Sequence, residues 1–259
     1  MIIKKSPAEI DAMAAAGDIL VRTMDLLAGK IRPGVTTGEL DAAAEKYIRS
    51  QGAVPAFKGY RGFPGSICAS PNDMVVHGIP GKFKLRRGDI LSVDIGVVKD
   101  GWVADAARTF GVGDVSPVAS ALMDATQGAL FAAVEQCRPG NRLGDISHAV
   151  QEHVEAAGFS IVRSLVGHGV GREMHEEPQV PNYGPAGRGV PLEEGMVLAV
   201  EPMVTVGRHM VRMGDDGWAI YSQDGSLAAH FEFTIAITAT GPRILTPWHH
   251  PDSAAAAAA

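Results

Sequence analysis

Asp94 and Asp105 are the first residues whose types and spacing carry chemistry. They lie in Arg87-Gly-Asp-Ile-Leu-Ser-Val-Asp94-Ile-Gly-Val-Val-Lys-Asp-Gly-Trp-Val-Ala-Asp105-Ala-Ala-Arg-Thr-Phe110, where two apolar, β-branched runs flank Lys99-Asp100-Gly101-Trp102. Asp-Gly between such runs is a strong hairpin signal. With Asp100 and Gly101 at the tip, Lys99 faces Trp102, Val97 faces Ala104 and Gly96 faces Asp105. Asp94, two residues from Gly96, then projects from the same face as Asp105. Diagonal neighbours in an antiparallel pair sit roughly 7–8 Å apart, and paired metal ions roughly 3.5–4 Å apart, so both carboxylates can converge on one metal pair.

Taken alone, Asp105 reads as a solvated residue on an edge strand. Asp94 differs, because it interrupts a near-continuous apolar run of the kind that is buried on both faces. A buried, unpaired carboxylate is costly, so a cation or hydrogen-bond donors belong beside it.

Further acids and imidazoles follow along the chain. Gly167-His168-Gly-Val-Gly171 presents His168 on glycine-rich backbone and satisfies neither GxGxxG nor GxxxxGK[ST]. His175, in His-Glu-Glu-Pro, makes no HExxH zinc helix. Glu201 ends an apolar strand before Pro202 and in isolation reads as a solvent-facing acid. Glu232 falls in His230-Phe-Glu232-Phe-Thr-Ile-Ala-Ile-Thr238, an alternating strand whose local reading is a solvated face. His77 marks a strand running into a turn.

Asp94, Asp105, His168, Glu201 and Glu232 together give four carboxylates and one imidazole. Gathered in one pocket, the acids would repel one another and raise their pKa values, and two divalent cations would neutralise them. Mn, Fe, Co and Zn all suit a mainly oxygen set with one nitrogen. Paired metals of this kind make hydroxide available near neutral pH. No GxSxG elbow is present and Cys68 has no cysteine-protease signature, which sets covalent catalysis aside.

The elements that must position these groups repeat. Ser6-Pro7-Ala8-Glu9 is a capping box opening a helix through Ile10, Met13, Leu20 and Leu27. Thr36-Thr-Gly-Glu39 opens a second, stopped at Gly52. Ser116-Pro117 opens a third, and a fourth runs from about Gly144 to Gly158. Arg138-Pro139-Gly140 follows Arg32-Pro33-Gly34 by 106 positions, and Glu194-Gly195 through Glu201 follows Arg87-Gly88 through Asp94 by 107. Such a period implies a duplicated half-domain. Residues 1–245 then form one domain with halves at about 6–110 and 116–245, and a pseudo-twofold brings Asp94 and Glu201 together centrally. After Leu245 the tail, 246–259, ends in six alanines and reads as disordered.

Composition excludes several classes. A hydrophobic content of 46% with 20% charged residues is that of a globular protein. The net charge of −6 gives no footprint for nucleic acid, and Lys82, Lys84, Arg86 and Arg87 read as a solvated strand approach. Two cysteines make neither a metal spacing nor a disulfide framework. The first residues hold no apolar signal region and no run approaches the roughly 18 residues of a membrane span, so a cytoplasmic protein is expected.

Taken in order, Asn72-Asp-Met-Val-Val-His77-Gly-Ile-Pro80, Asp94 with Asp105, Gly167-His168-Gly-Val-Gly-Arg-Glu-Met-His175-Glu-Glu-Pro178, Glu201-Pro-Met and Phe231-Glu232 resemble the type I methionine aminopeptidases. The resemblance runs from about Ser6 to Leu245. It implies the α+β pita-bread fold, a pseudo-twofold central antiparallel sheet covered by two helix pairs. It implies two divalent ions (Co, Mn, Fe or Zn) held by Asp94, Asp105, His168, Glu201 and Glu232, with Asp105 and Glu232 bridging. Glu201 would act as general base, and His175 and His77 would stabilise the substrate carbonyl and the scissile nitrogen. Tyr60, Phe63, Cys68 and Trp218, with His77 at the edge, would line a methionine pocket.

The implied activity is removal of the initiator methionine from nascent polypeptide N-termini with a small second residue, by a monomer that needs no membrane or specific nucleic acid; contact with the ribosome is left open. Phe57, Met174 and Phe233 depart from the residues common in that family, and none of them is a metal ligand. A related X-Pro peptidase and a catalytically silent pita-bread adaptor are the rival readings. The start of the fold at Ser6 argues against the first, and the complete ligand set against the second.

Overall fold

The computed structural model of the chain describes residues 1–248. Four helices form where the caps direct: α1 (Pro7–Ala28), α2 (Thr37–Ser50), α3 (Pro117–Gln136) and α4 (Leu143–Ala156). Ser6 with Glu9, and Thr36 with Glu39, close reciprocal capping boxes on α1 and α2, satisfying backbone N–H groups that helix starts otherwise leave unpaired.

The first half contributes β1 (Val54–Pro55), β2 (Cys68–Pro71), β3 (Met74–Val76), β4 (Ile90–Lys99) and β5 (Trp102–Gly111). Six strands open the second half: β6 (Ser160–Ile161), β7 (Gly167–Gly169), β8 (Glu176–Val180), β9 (Val197–Val200), β10 (Met203–Thr205) and β11 (Val211–Met213). It closes with β12 (Ile220–Ser222), β13 (Ala228–His230), β14 (Phe233–Thr238) and β15 (Gly241–Ile244).

The central hairpin β4–β5 has the expected register, with Lys99 opposite Trp102, Val97 opposite Ala104 and Gly96 opposite Asp105. Asp100 (φ 50°) and Gly101 (φ 78°) both take positive φ at the tip, the requirement of a two-residue turn that follows the strand twist. The other edge of β4 carries β1 and β2. In the second half the strand order is β15-β14-β9-β7-β8, all antiparallel.

Duplication is visible in backbone detail. Isolated bridges join Thr36 to Lys84 and Arg142 to Pro191, so each residue of the first pair recurs 106 or 107 positions on. Gly34 and Gly140, at the same offset, hold φ of 96° and 95°, a conformation that costs other residues a steric penalty. Helix α1 packs on β4 and β5, while α3 packs on β10 and β13. The fold is the α+β pita bread.

The two halves meet along β5. Thr109 Oγ1 donates to His230 O at 2.9 Å and accepts from His230 N at 2.9 Å, Glu232 N donates to Ala107 O at 2.9 Å, and Asp105 N donates to Thr234 Oγ1 at 3.0 Å. Residues 109, 107 and 105 thus oppose 230, 232 and 234, an antiparallel seam in which two threonine hydroxyls stand in for ladder groups.

This seam corrects two expectations. The strand read as continuous over 230–238 is broken at Phe231–Glu232, between β13 and β14, because Glu232 N turns to Ala107 of the other half. Glu232 is 2% exposed, so its face is not solvated. The tail does not begin at 246: Thr246 and Trp248 are fully buried. The Trp248 indole stacks against Phe231 and Phe233 with centroids 5.6 and 4.6 Å apart, and its Nε1 donates to Glu232 O at 2.9 Å. Residues 249–259, including the alanine run, lie outside the described residues.

Candidate metal centre

All the residues singled out from the sequence line one cavity of about 190 Å³: Tyr60, Phe63, Cys68, His77, Asp94, Asp105, His168, His175, Glu201, Trp218 and Glu232. The hairpin supplies Asp94 and Asp105, β7 supplies His168, the end of β9 supplies Glu201, and the break before β14 supplies Glu232. Each half therefore lends its strands to one central site, as the repeat requires.

The donor atoms are oriented for a cation. His168 Nδ1 lies 2.9 Å from Gly169 O; with the ring proton there, Nε2 presents a lone pair. That nitrogen lies 3.8 Å from Asp105 Oδ2 and 3.6 Å from Glu201 Oε1, a meeting of acceptors that needs positive charge between them. Ligand atoms of Asp105, His168 and Glu232 all fall within 4.8 Å of one another. Asp94 Oδ1, Asp105 Oδ1 and Glu232 Oε1 are buried without a hydrogen-bond partner among the described residues. Orphaned buried acceptors of this kind cost free energy unless a cation satisfies them.

Electrostatics give the same result. Burial and mutual repulsion push Asp94, Glu201 and Glu232 well above the usual carboxylate range, and burial raises Asp105 to about 7. Burial also holds the His168 imidazole below its ordinary value, hence neutral. Four acids that resist ionisation beside a neutral imidazole are the condition a divalent metal reverses. The residues present fit such a group.

On the opposite side the cavity is apolar. Phe63 and Trp218 meet edge to face with centroids 5.1 Å apart. Cys68 sits across the ladder from Asp94; burial, with the acids nearby, raises its thiol far above the thiolate range, so it serves as a small soft surface rather than a nucleophile. Phe57 and Met174 complete this wall.

At the mouth, His77 adopts φ 61°, and the Tyr60 hydroxyl lies 2.8 Å from His175 Nδ1. Desolvation, reinforced by His168, Arg61 and His77, lowers His175 to about 4, so it is neutral at physiological pH. With Tyr60 donating to Nδ1, the ring proton sits on Nε2, where it is free to donate.

His230 was not singled out from the sequence, where it reads as one more strand residue. It is 2% exposed, with both ring nitrogens unpartnered, and its Nε2 lies 3.7 Å from Glu201 Oε2 and 3.9 Å from Glu232 Oε2. Burial lowers it to about 3. Its position two residues before Glu232, on the same face of an alternating strand, was the available signal. Arg61, which also lines the cavity, had none beyond its place in a glycine-rich loop.

A pita-bread fold whose two halves converge on a buried cluster of acids and a neutral imidazole defines a metal-dependent hydrolase. Residues 11–239 match the model of metallopeptidase family M24, and the chain belongs to that family. It is 53% identical over 246 residues to a methionine aminopeptidase of Clostridium perfringens, covering 95% of this chain and 99% of the relative. The crystal structure of methionine aminopeptidase from Rickettsia prowazekii superposes with a TM-score of 0.94 at 40% identity, covering 95% of this chain and all of that one. That from Thermotoga maritima gives 0.93 at 45% identity, with 95% and 99% covered. No helix among the described residues is long and apolar enough to cross a membrane.

Proposed function

We propose that this chain removes N-terminal methionine from nascent polypeptides with a small second residue, acting as a cytoplasmic monomer. The observation that carries the reading is the convergence of His168 Nε2 on Asp105 and Glu201, in the same cavity as the apolar side chains Phe63, Cys68 and Trp218. Relatives named as methionine aminopeptidases over nearly their whole length support it.

In this reading Asp94, Asp105, His168, Glu201 and Glu232 would hold two divalent ions. When bound, such ions would supply Lewis-acid polarisation and lower the pKa of a bound water toward neutrality. Glu201 takes the proton of the attacking water and passes it to the leaving amine. His175 donates its Nε2 proton to the scissile carbonyl oxygen, a donor fixed in advance by Tyr60. His77, which lines the same cavity, steadies the scissile nitrogen. Phe63, Trp218, Cys68 and Tyr60 grip the methionine side chain, where aromatic rings favour sulfur contacts.

A competition assay tests this. Equal amounts of Met-Ala-Ser, Met-Leu-Ser and Ala-Pro-Ser are offered to Mn-loaded protein, and the free amino acid is measured. Methionine from Met-Ala-Ser alone is the expected product. Alanine from Ala-Pro-Ser would favour the X-Pro reading, and no cleavage with metal bound would favour a silent adaptor.

A further inference from the structure

Lys5 and Glu176 form a buried ion pair that the chemistry of the metal centre leaves unused. Lys5 Nζ donates to Glu176 Oε2 at 2.5 Å and to Ile3 O at 2.9 Å, and the two side chains are 2% and 6% exposed. The partners stand 171 positions apart, one just before the cap of α1 and the other at the start of β8, directly after His175. Taking both charges out of water costs about as much as their attraction returns, and apolar replacements of similar volume are often equally stable. Stability alone therefore does not account for the pair.

Glu176 closes the loop that carries His175. Its Oε1 accepts from Arg172 N at 2.9 Å and from Glu173 N at 3.3 Å, so one carboxylate oxygen binds the loop's own backbone while the other meets Lys5. Gly171 makes room for this arrangement: a Cβ there would lie 2.5 Å from Lys5 Cε and closer still to Glu176 Oε1. The start of the loop is fixed to the central hairpin, where Val103 N donates to Gly171 O at 2.9 Å. Lys5 is itself held by the second half, its N donating to Gly195 O at 2.7 Å. Both ends of the loop are thus pinned, and Lys5 is the anchor outside it.

Resting on the peptidase reading above, we propose that the Lys5–Glu176 pair is a positioning device for His175, holding the loop at the place from which His175 Nε2 donates to the scissile carbonyl. His175 lines the cavity and neither Lys5 nor Glu176 does, so the pair acts through the residue that meets substrate. Tyr60 sets which ring nitrogen carries the proton; Lys5 and Glu176 set where that nitrogen stands. A donor to a developing oxyanion works only within narrow distance limits, and a displacement of about 1 Å can cost roughly 100-fold in rate. Because the bond belongs to the transition state, its loss is read in kcat rather than in KM.

The test combines Lys5→Met with Glu176→Gln, which removes the anchor and both charges together while leaving an amide oxygen to accept from Arg172 N and Glu173 N. On Mn-loaded enzyme, kcat for Met-Ala-Ser should fall roughly 10-fold, with KM and the Mn affinity read by titration calorimetry each changed less than about 2-fold. In a His175→Ala background the same two changes should lower the residual kcat by less than about 2-fold, because residues that act as a unit are not additive. A fall that follows weakened Mn binding, a fall of similar size in both backgrounds, or no fall in either would overturn the inference with the peptidase reading intact. If the combined variant does not fold, Lys5→Ala is assayed with n-propylammonium, which supplies the carbons and the ammonium group that the substitution deletes. Recovery of kcat with the amine and not with n-propanol is then expected, and equal kcat in the two would overturn the inference. No methionine release from the parent enzyme would overturn both.

Discussion

Thr234 clasps Asp105 from the other half of the molecule: the hydroxyl accepts from Asp105 N at 3.0 Å and donates to Asp105 O at 2.7 Å. Both backbone groups of a candidate metal ligand are thereby satisfied by one side chain, which is itself fully buried. Glu232, two residues before Thr234, is tied to β5 by one backbone bond, its N–H donating to Ala107 O, while its own C=O accepts from Trp248 Nε1. The separation of the acids is set by this seam rather than by either sheet alone.

Thr234→Val keeps the shape and removes both bonds, leaving the Asp105 N–H and C=O buried and unpaired. The expected cost is about 3 kcal/mol, read from urea unfolding, together with weaker metal binding by titration calorimetry. Thr234→Ser should lose less than about 1 kcal/mol and keep its metal affinity. Equal losses in the two variants would assign the effect to packing.

Tyr60→Phe removes the partner of His175 Nδ1. With the tautomer no longer fixed, kcat for Met-Ala-Ser should fall roughly 5-fold, the loss of about 1 kcal/mol, while KM changes little. Because His175 titrates at about 4, neither enzyme should show an acidic limb from it between pH 6 and 8. A rise in KM with kcat untouched would place Tyr60 in substrate binding only.

The metal-free protein should have an inverted alkaline pH response. Asp94, Glu201 and Glu232 are raised well above their ordinary values and Asp105 to about 7, so the folded chain binds more protons than the unfolded one. Stability contributed by such groups is full below their unfolded pKa values and is lost as pH rises through the folded ones. Below about pH 6.5 the buried neutral His168 and His230 act in the opposite sense, since the unfolded chain then takes up their protons. Urea midpoints of chelator-treated protein should therefore fall from pH 7 to pH 8.5, and added Mn should flatten the fall. A rising midpoint would contradict the assignment of these groups.

Trp248→Ala should cost about 3–5 kcal/mol by urea unfolding, because the ring fills a site between Phe231 and Phe233 and its N–H pairs with Glu232 O. If Trp248→Ala is neutral, the indole does not brace Glu232.

These residues also show what a sequence discloses. The β4–β5 register was legible because Asp100-Gly101 admits one turn geometry and alternation then fixes every opposed pair. The duplicated halves were legible as a repeated spacing, which places Asp94 and Glu201 at equivalent strand ends without a distance. Glu232 was misread locally, since the pattern over 230–238 satisfies a continuous strand and only its bond to Ala107, across more than a hundred residues, breaks it. Trp248 was lost beside the alanine run for the same reason: its partners Phe231, Phe233 and Glu232 become neighbours only after folding. His230 is marked in the sequence only by its alternation with Glu232; what sets it apart, two unpartnered ring nitrogens with Nε2 near two acids, exists only in the folded chain.

The most direct test is methionine release from Met-Ala-Ser by chelator-stripped protein, before and after reloading with Mn, Fe, Co or Zn, beside Asp105→Asn carried through the same steps. The expected result is no release without metal, release restored by at least one of the four ions, and a loss of roughly 100-fold or more in the variant, which lacks one charge of the cluster. Release that needs no metal, or is unaffected by Asp105→Asn, would contradict the metal centre; folded, metal-loaded protein that releases no methionine would contradict the peptidase.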